Sequence, residues 1–141
     1  MTTSLRFEDV AAGDELPSLD VPLTSAIIVG GALASRDFTP VHHDKGAARS
    51  QGLSDVIMNI LTTNGYVGRF VTDWAGPDAV IRELEVKLGA PNMPGDTMKM
   101  TGKVVAVADG VVEVEVVGKN AWGNHVEGTV KLTLPTAAKG A

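Results

Sequence analysis

A change of hydrophobic period near residue 76 restricts this chain more than any other feature. Before it, Ile57, Met58, Ile60, Leu61, Val67, Phe70 and Val71 recur at three- and four-residue spacing. That pattern predicts one long helix from Ser54 to about Trp74. Ser54 or Asp55 is its expected N-cap, and Trp74 its expected end anchor. Asn59 and Asn64 interrupt the apolar positions and read as satisfied core polar groups. A helix this apolar needs burial over most of its surface. After Gly76-Pro77 the period falls to 2. Apolar residues alternate with polar or charged ones over 84–88, 98–104, 112–116 and 126–134. A meander of four antiparallel strands, each with one dry and one wet face, is therefore expected. Asp109-Gly110 predicts a tight hairpin between the second and third. Gly118 to Asn124 supplies another connection, and Pro91 to Asp96 a loop.

The rest of the chain offers little to cover that sheet. Residues 1–23, with Gly13, Pro17 and Pro22, read as an irregular arm with one short strand. Thr24 or Ser25 caps a short helix to about Ser35, which Gly30 and Gly31 weaken by roughly 1 kcal/mol each relative to alanine. Ala47 to Arg49 forms a helical turn. Residues 135–141 read as a frayed tail. The long helix is then the one element able to cover the dry face. The expected fold is α+β: a single hot-dog domain over 1–141, an antiparallel sheet wrapped around one long central helix. One copy leaves a sheet edge open, so an oligomer that joins two sheets is expected.

Composition removes several function classes. The 141 residues, 44% hydrophobic, suit one soluble domain. No apolar run approaches the roughly twenty residues of a membrane span, and Met1 to Val10 lacks a secretory apolar core. There is no cysteine, hence no disulfide or thiolate chemistry, which suits a reducing cytoplasm. The net charge of -5 and the absence of a basic run disfavour nucleic acid. An anionic substrate would need local cations, for which Arg36, Lys45 and Arg49 are candidates.

The most chemically loaded segment is Arg36-Asp37-Phe38-Thr39-Pro40-Val41-His42-His43-Asp44. Pro40 makes it an extended loop rather than a helix. A carboxylate and an imidazole five residues apart on a stiffened loop can hold and activate one water. Spacing alone favours a polar surface loop, with Asp37 as a cap and His42 solvated. Adjacent His42 and His43 point to opposite sides in an extended chain. With His125 read as a surface residue at a strand end, no metal site is expected. Gly52, placed just before the long helix, offers a backbone N–H for polarising a carbonyl.

That loop resembles the motif of the MaoC-like, R-specific enoyl-CoA hydratase family, roughly G-D-x-N-P-hydrophobic-H-x-D. Arg36 stands where the family usually has glycine, and Thr39 where it has asparagine. Gln51-Gly52-Leu53, Asp73-Trp74-Ala75-Gly76-Pro77 and Pro94-Gly95-Asp96-Thr97 extend the likeness. Arg36-Asp37-Phe38 with Val41-His42-His43-Asp44, Asn59-Ile60-Leu61-Thr62 and Val71-Thr72-Asp73-Trp74-Ala75-Gly76-Pro77 are especially similar to the small catalytic subunit of actinobacterial steroid side-chain hydratases. The resemblance implies hydration of a 2-enoyl-CoA thioester to a 3-hydroxyacyl-CoA, with a bulky steroid-type acyl chain. It implies Asp37 and His42 as the catalytic pair, and Gly52, Thr39 and Asp44 as oxyanion or substrate-binding residues. No cofactor is implied, since coenzyme A is part of the substrate. The implied assembly is a homodimer or a hetero-oligomer with a larger MaoC-like subunit. A thioesterase on the same fold would need an acid on the long helix, where Asp55 and Asp73 are the candidates. A non-catalytic scaffold subunit would lack the pair.

Overall fold

The computed structural model describes residues 3–137. Five strands form one antiparallel sheet in the order β1-β3-β4-β5-β2. They are β1 (Glu15–Pro22), β2 (Val80–Leu88), β3 (Thr97–Ala108), β4 (Val111–Asn120) and β5 (Gly123–Thr133). Three α-helices lie between β1 and β2: α1 (Ser25–Ala34), α2 (Lys45–Ser50) and α3 (Ile60–Ala75). No helix among the described residues is long and apolar enough to cross a membrane.

The hot-dog architecture follows from the expected packing. Val67, Phe70, Val71 and Ala75 of α3 are buried in one cluster with Met98, Met100, Val104, Val112, Val114, Val116, Val130 and Leu132 of the sheet. The alternation read from the sequence is therefore the dry face. Gly102 makes room for the helix: a Cβ there would lie 2.8 Å from Phe70 Cε1. Asp109 and Gly110 both take positive φ, 53° and 78°, as a two-residue I′ hairpin turn requires. Asn120 Oδ1 accepts the N–H groups of Trp122 and Gly123, which shortens the next connection to two residues.

Several expectations are corrected. The strands are not a simple meander, because β2 crosses to the far edge and pairs with β5. The arm carries a full edge strand, β1, paired with β3 and bulged between Leu16 and Leu19. Its edge position tolerates Pro17 and Pro22. Residues 135–137 are tied down rather than frayed: Pro135 O accepts from Phe7 N–H at 3.0 Å, and Ala137 N–H donates to Glu8. The remainder of that tail, 138–141, lies outside the described residues.

The long helix begins at Ile60, not Ser54. Asn59 is its N-cap, its side-chain oxygen accepting from Thr62 N–H. The preceding residues are drawn into tertiary hydrogen bonds, Ile57 N–H to Val41 O and Met58 N–H to Asn92 O. Asn64 departs from the satisfied core polar group expected of it: its Oδ1 is buried without a protein hydrogen-bond partner.

His125 is not a surface residue; it is 2% exposed. Its Nδ1 lies 2.7 Å from Ala90 O, which only accepts, so Nδ1 carries the proton. Nε2 then accepts from the Thr63 hydroxyl at 2.9 Å. Burial pushes its pKa below the ordinary 6.5. Between the folded and unfolded values the unfolded chain binds more protons, so stability rises with pH there. The contribution is complete above about pH 6.5 and is lost as pH falls through the folded value. Chemical denaturation midpoints are expected to drop between about pH 7 and about pH 5. His125→Asn is expected to flatten that drop, and identical pH slopes in the two proteins would exclude His125 as its source.

Candidate active site

The site is built where α1 ends. Arg36 N–H bonds to Leu33 O and Asp37 N–H to Ala32 O, the two bonds of a Schellman motif. That motif needs a left-handed residue, and Arg36 supplies it at φ 57°. Glycine adopts this conformation without steric cost, which accounts for glycine being usual at this place in the motif. The termination aims Asp37 off the helix. Thr39 is extended ahead of Pro40, and Pro40–His42 make one 3-10 turn. The turn brings His42 back over the loop that leads into α3.

There His42 and Asp37 meet. His42 Nε2 lies 3.4 Å from Asp37 Oδ2, and their side chains are 13% and 23% exposed. His42 Nδ1 is 2.6 Å from Ile57 O. A carbonyl can only accept, so Nδ1 holds the proton, and the neutral tautomer leaves Nε2 bare toward the carboxylate. Two acceptors then converge, and one water can donate to both. Asp37 Oδ1 accepts from the Thr39 hydroxyl at 2.8 Å and from Thr39 N–H at 3.3 Å. Oδ2 accepts from Asn59 Nδ2 at 3.1 Å. These bonds, Thr39's hydroxyl first and Asn59's amide second, hold the Asp37 carboxyl below its ordinary range.

The other sequence-derived residues take different places. Thr39, which stands where the motif has asparagine, hydrogen-bonds Asp37 directly. Asp44 caps α2, its Oδ1 accepting from Ala47 N–H at 3.0 Å, and no hydrogen bond among the described residues joins it to the pair. Gly52 does not open the long helix. It sits in the turn after α2 at φ 86°, and its N–H bonds to Arg49 O at 3.0 Å. The long helix opens at Ile60, with Asn59 as its N-cap. Lys45 pairs with Asp55 at 3.2 Å. Asp73 pairs with Arg69 at 3.3 Å in the last turn of α3. Neither thioesterase candidate acid therefore stands mid-helix. No cluster of three or more potential metal-ligating side chains occurs among the described residues.

Asn59 is the residue that sequence reasoning placed in the core without a link to the site. It is 1% exposed, yet it touches Asp37. Its signal was present: asparagine is a preferred N-cap, and Thr62 stands three residues on. Phe38 follows Asp37, and Ile60 and Leu61 follow Asn59; these apolar side chains are 63%, 45% and 49% exposed at the rim of the site.

The chain is similar to known proteins over most of its length. The family model described as MaoC like domain matches residues 9–123. The 3-oxo-4,17-pregnadiene-20-carboxyl-CoA hydratase beta subunit of Mycobacterium tuberculosis is 48% identical over 122 residues, covering 86% of this chain and 95% of the relative. In the crystal structure of the ChsH1-ChsH2 complex from Mycobacterium tuberculosis, the matching chain superposes with a TM-score of 0.87 at 47% identity. That match covers 88% of this chain and 98% of the other. The R-hydratase PhaJ1 from Pseudomonas aeruginosa shares the fold, with a TM-score of 0.86 at 17% identity, over 98% of this chain and 92% of its own.

Proposed function

The chain belongs to the MaoC-like domain family, and on that premise we propose that it hydrates a 2-enoyl-CoA thioester to a 3-hydroxyacyl-CoA. The acyl chain is of steroid type, as the mycobacterial relative's name states for that protein. One observation carries the reading: His42 Nε2 and Asp37 Oδ2 converge at 3.4 Å while Nδ1 is committed to Ile57 O. A water donating to both is oriented and activated. As its oxygen bonds to C3, its proton passes to His42 Nε2. Asp37, kept anionic by its own hydrogen bonds, stabilises the imidazolium. The same proton then goes to C2, so the elements of one water are added. The thioester carbonyl takes enolate-like charge on the way, and the N–H groups of Ile60 and Leu61 at the α3 N-terminus are suited to oppose it. No cofactor enters this scheme.

The assembly belongs to the same proposal. Strand β2 is a sheet edge, and Val80 and Leu88 at its ends are 45% and 36% exposed. With the apolar rim of the pair, this supports association with a larger MaoC-like subunit that completes a wide acyl pocket. A cytoplasmic location fits the lack of cysteine.

The test supplies short-chain and steroid-type 2-enoyl-CoA esters to the purified chain, alone and with candidate partner subunits. Loss of the conjugated thioester absorbance with formation of 3-hydroxyacyl-CoA is expected. Release of free coenzyme A without hydration would replace this reading with a thioesterase. Inactivity with every ester and partner would leave a scaffold.

A further inference from the structure

The Asn59 side chain uses its whole hydrogen-bonding capacity on three segments. Its oxygen accepts from Thr62 N–H at 3.1 Å and from the Thr62 hydroxyl at 2.5 Å. Its two amide hydrogens go to Ser35 Oγ at 2.9 Å and Asp37 Oδ2 at 3.1 Å. A backbone N–H only donates, so the oxygen must face Thr62 and the nitrogen must face Asp37. Ser35 Oγ in turn donates to Gly31 O at 2.7 Å. One buried amide therefore ties the end of α1, the start of α3 and the acid of the pair. Helix capping alone needs only the oxygen. The nitrogen's bond to Asp37 is an additional use, and serine or aspartate would cap equally well without it.

We propose that Asn59 is a positioning residue that clamps the Asp37 carboxylate, so that the free lone pair of Oδ2 faces His42 Nε2 and the water between them. This rests on the hydratase reading of the pair. Thr39 occupies Oδ1 and Asn59 occupies one side of Oδ2, which leaves the carboxylate a single open direction. Without the amide, the carboxylate is free to rotate about its Cβ–Cγ bond and is more easily protonated.

The test uses Asn59→Ser and Asn59→Asp in the full chain, within the assembly that carries the wild-type activity. Both keep a capping oxygen and lose the amide hydrogens. In Asn59→Ser, kcat is expected to fall about tenfold to a hundredfold with KM within about threefold. Asn59→Asp is expected to lose more, because a second carboxylate faces Asp37. A carbon-13 NMR titration of the Asp37 carboxyl needs no turnover; its midpoint is expected to rise in both variants, more in Asn59→Asp. A purely structural role would lower thermal stability and leave the Asp37 midpoint and the kcat-to-KM split unchanged. Unchanged Asp37 midpoints in both variants overturn the proposal. If Asp37→Asn keeps full hydratase activity, the pair itself is not catalytic. The titration then still reports whether Asn59 sets the carboxylate.

Discussion

Asp37→Asn removes hydratase activity by about a hundredfold to ten-thousandfold while the fold survives. The magnitude is that of a general acid–base group removed from its transition state. Three of its features follow from the hydrogen bonds. The substitution keeps the side chain's shape, and an amide oxygen at the Oδ1 position still accepts from Thr39. The amide nitrogen then falls at the Oδ2 position, where it opposes the Nδ2 donor of Asn59. Two donors face each other, and no lone pair remains for the water. The charge that would stabilise protonated His42 is also gone. Because the carboxyl sits below its ordinary value of 3.8, it is ionised throughout the working range of pH. Its own titration therefore adds no pH dependence to the loss above about pH 5. His42→Ala is expected to cost a similar factor, and the double variant little more, since the two residues act on one water. Steady-state kcat/KM for a 2-enoyl-CoA, followed by loss of the conjugated absorbance, gives the ratio. A loss under about tenfold would remove Asp37 from the chemistry.

What the sequence revealed and what it hid divide along physical lines. Strands β3 to β5 were legible because a half-buried strand must alternate, and Met98, Met100, Val112, Val114, Val130 and Leu132 all face the core. The α1 cap at Thr24 was legible because capping is local, and Thr24 Oγ1 accepts from Ile27 N–H as expected. The start of α3 was not. Val56, Ile57 and Met58 continue the apolar pattern, but the backbone of Ile57 and Met58 is diverted to Val41, His42 and Asn92, partners far along the chain. The place of β2 was hidden for a related reason: the 89–96 connection is long enough to cross the sheet, and alternation does not name a strand's neighbour. Asp37 and His42 stood out through their motif. Asn59 and His125 did not, because their meaning lies in the groups they meet: Asp37 and Ser35 for one, Ala90 and Thr63 for the other.

The clearest long-range dependence of the site is on Gly31, and Gly31→Ala is expected to destabilise the protein although alanine favours helices. Propensity alone would contribute about 1 kcal/mol in favour of the substitution. Against it stands Thr62 of α3, whose Oγ1 a Cβ at residue 31 would overlap, with Cγ2 and Cβ at 2.9 and 3.1 Å. Turning Thr62 about χ1 exchanges one of these atoms for another and does not clear the contact. Its hydroxyl is also held by Asn59 at 2.5 Å. The helices must therefore part, and overpacking of this kind costs about 1–3 kcal/mol. Set against the gain in propensity, the balance is a net loss of up to about 2 kcal/mol, or several degrees in Tm for a domain of this size. The displacement reaches the chemistry as well, because Thr62 pulls on Asn59 and Asn59 holds Asp37. A fall in kcat of about tenfold is expected with the loss of stability, since small misplacements of a catalytic group are costly. A double-mutant cycle with Thr62→Ala separates the two effects. Removing Oγ1 and Cγ2 from the contact should recover much of the stability, giving a coupling of about 1 kcal/mol or more. Additive losses would show that α1 and α3 do not meet through Gly31 and Thr62. A Gly31→Ala protein as stable as the parent would show that the helices yield without cost.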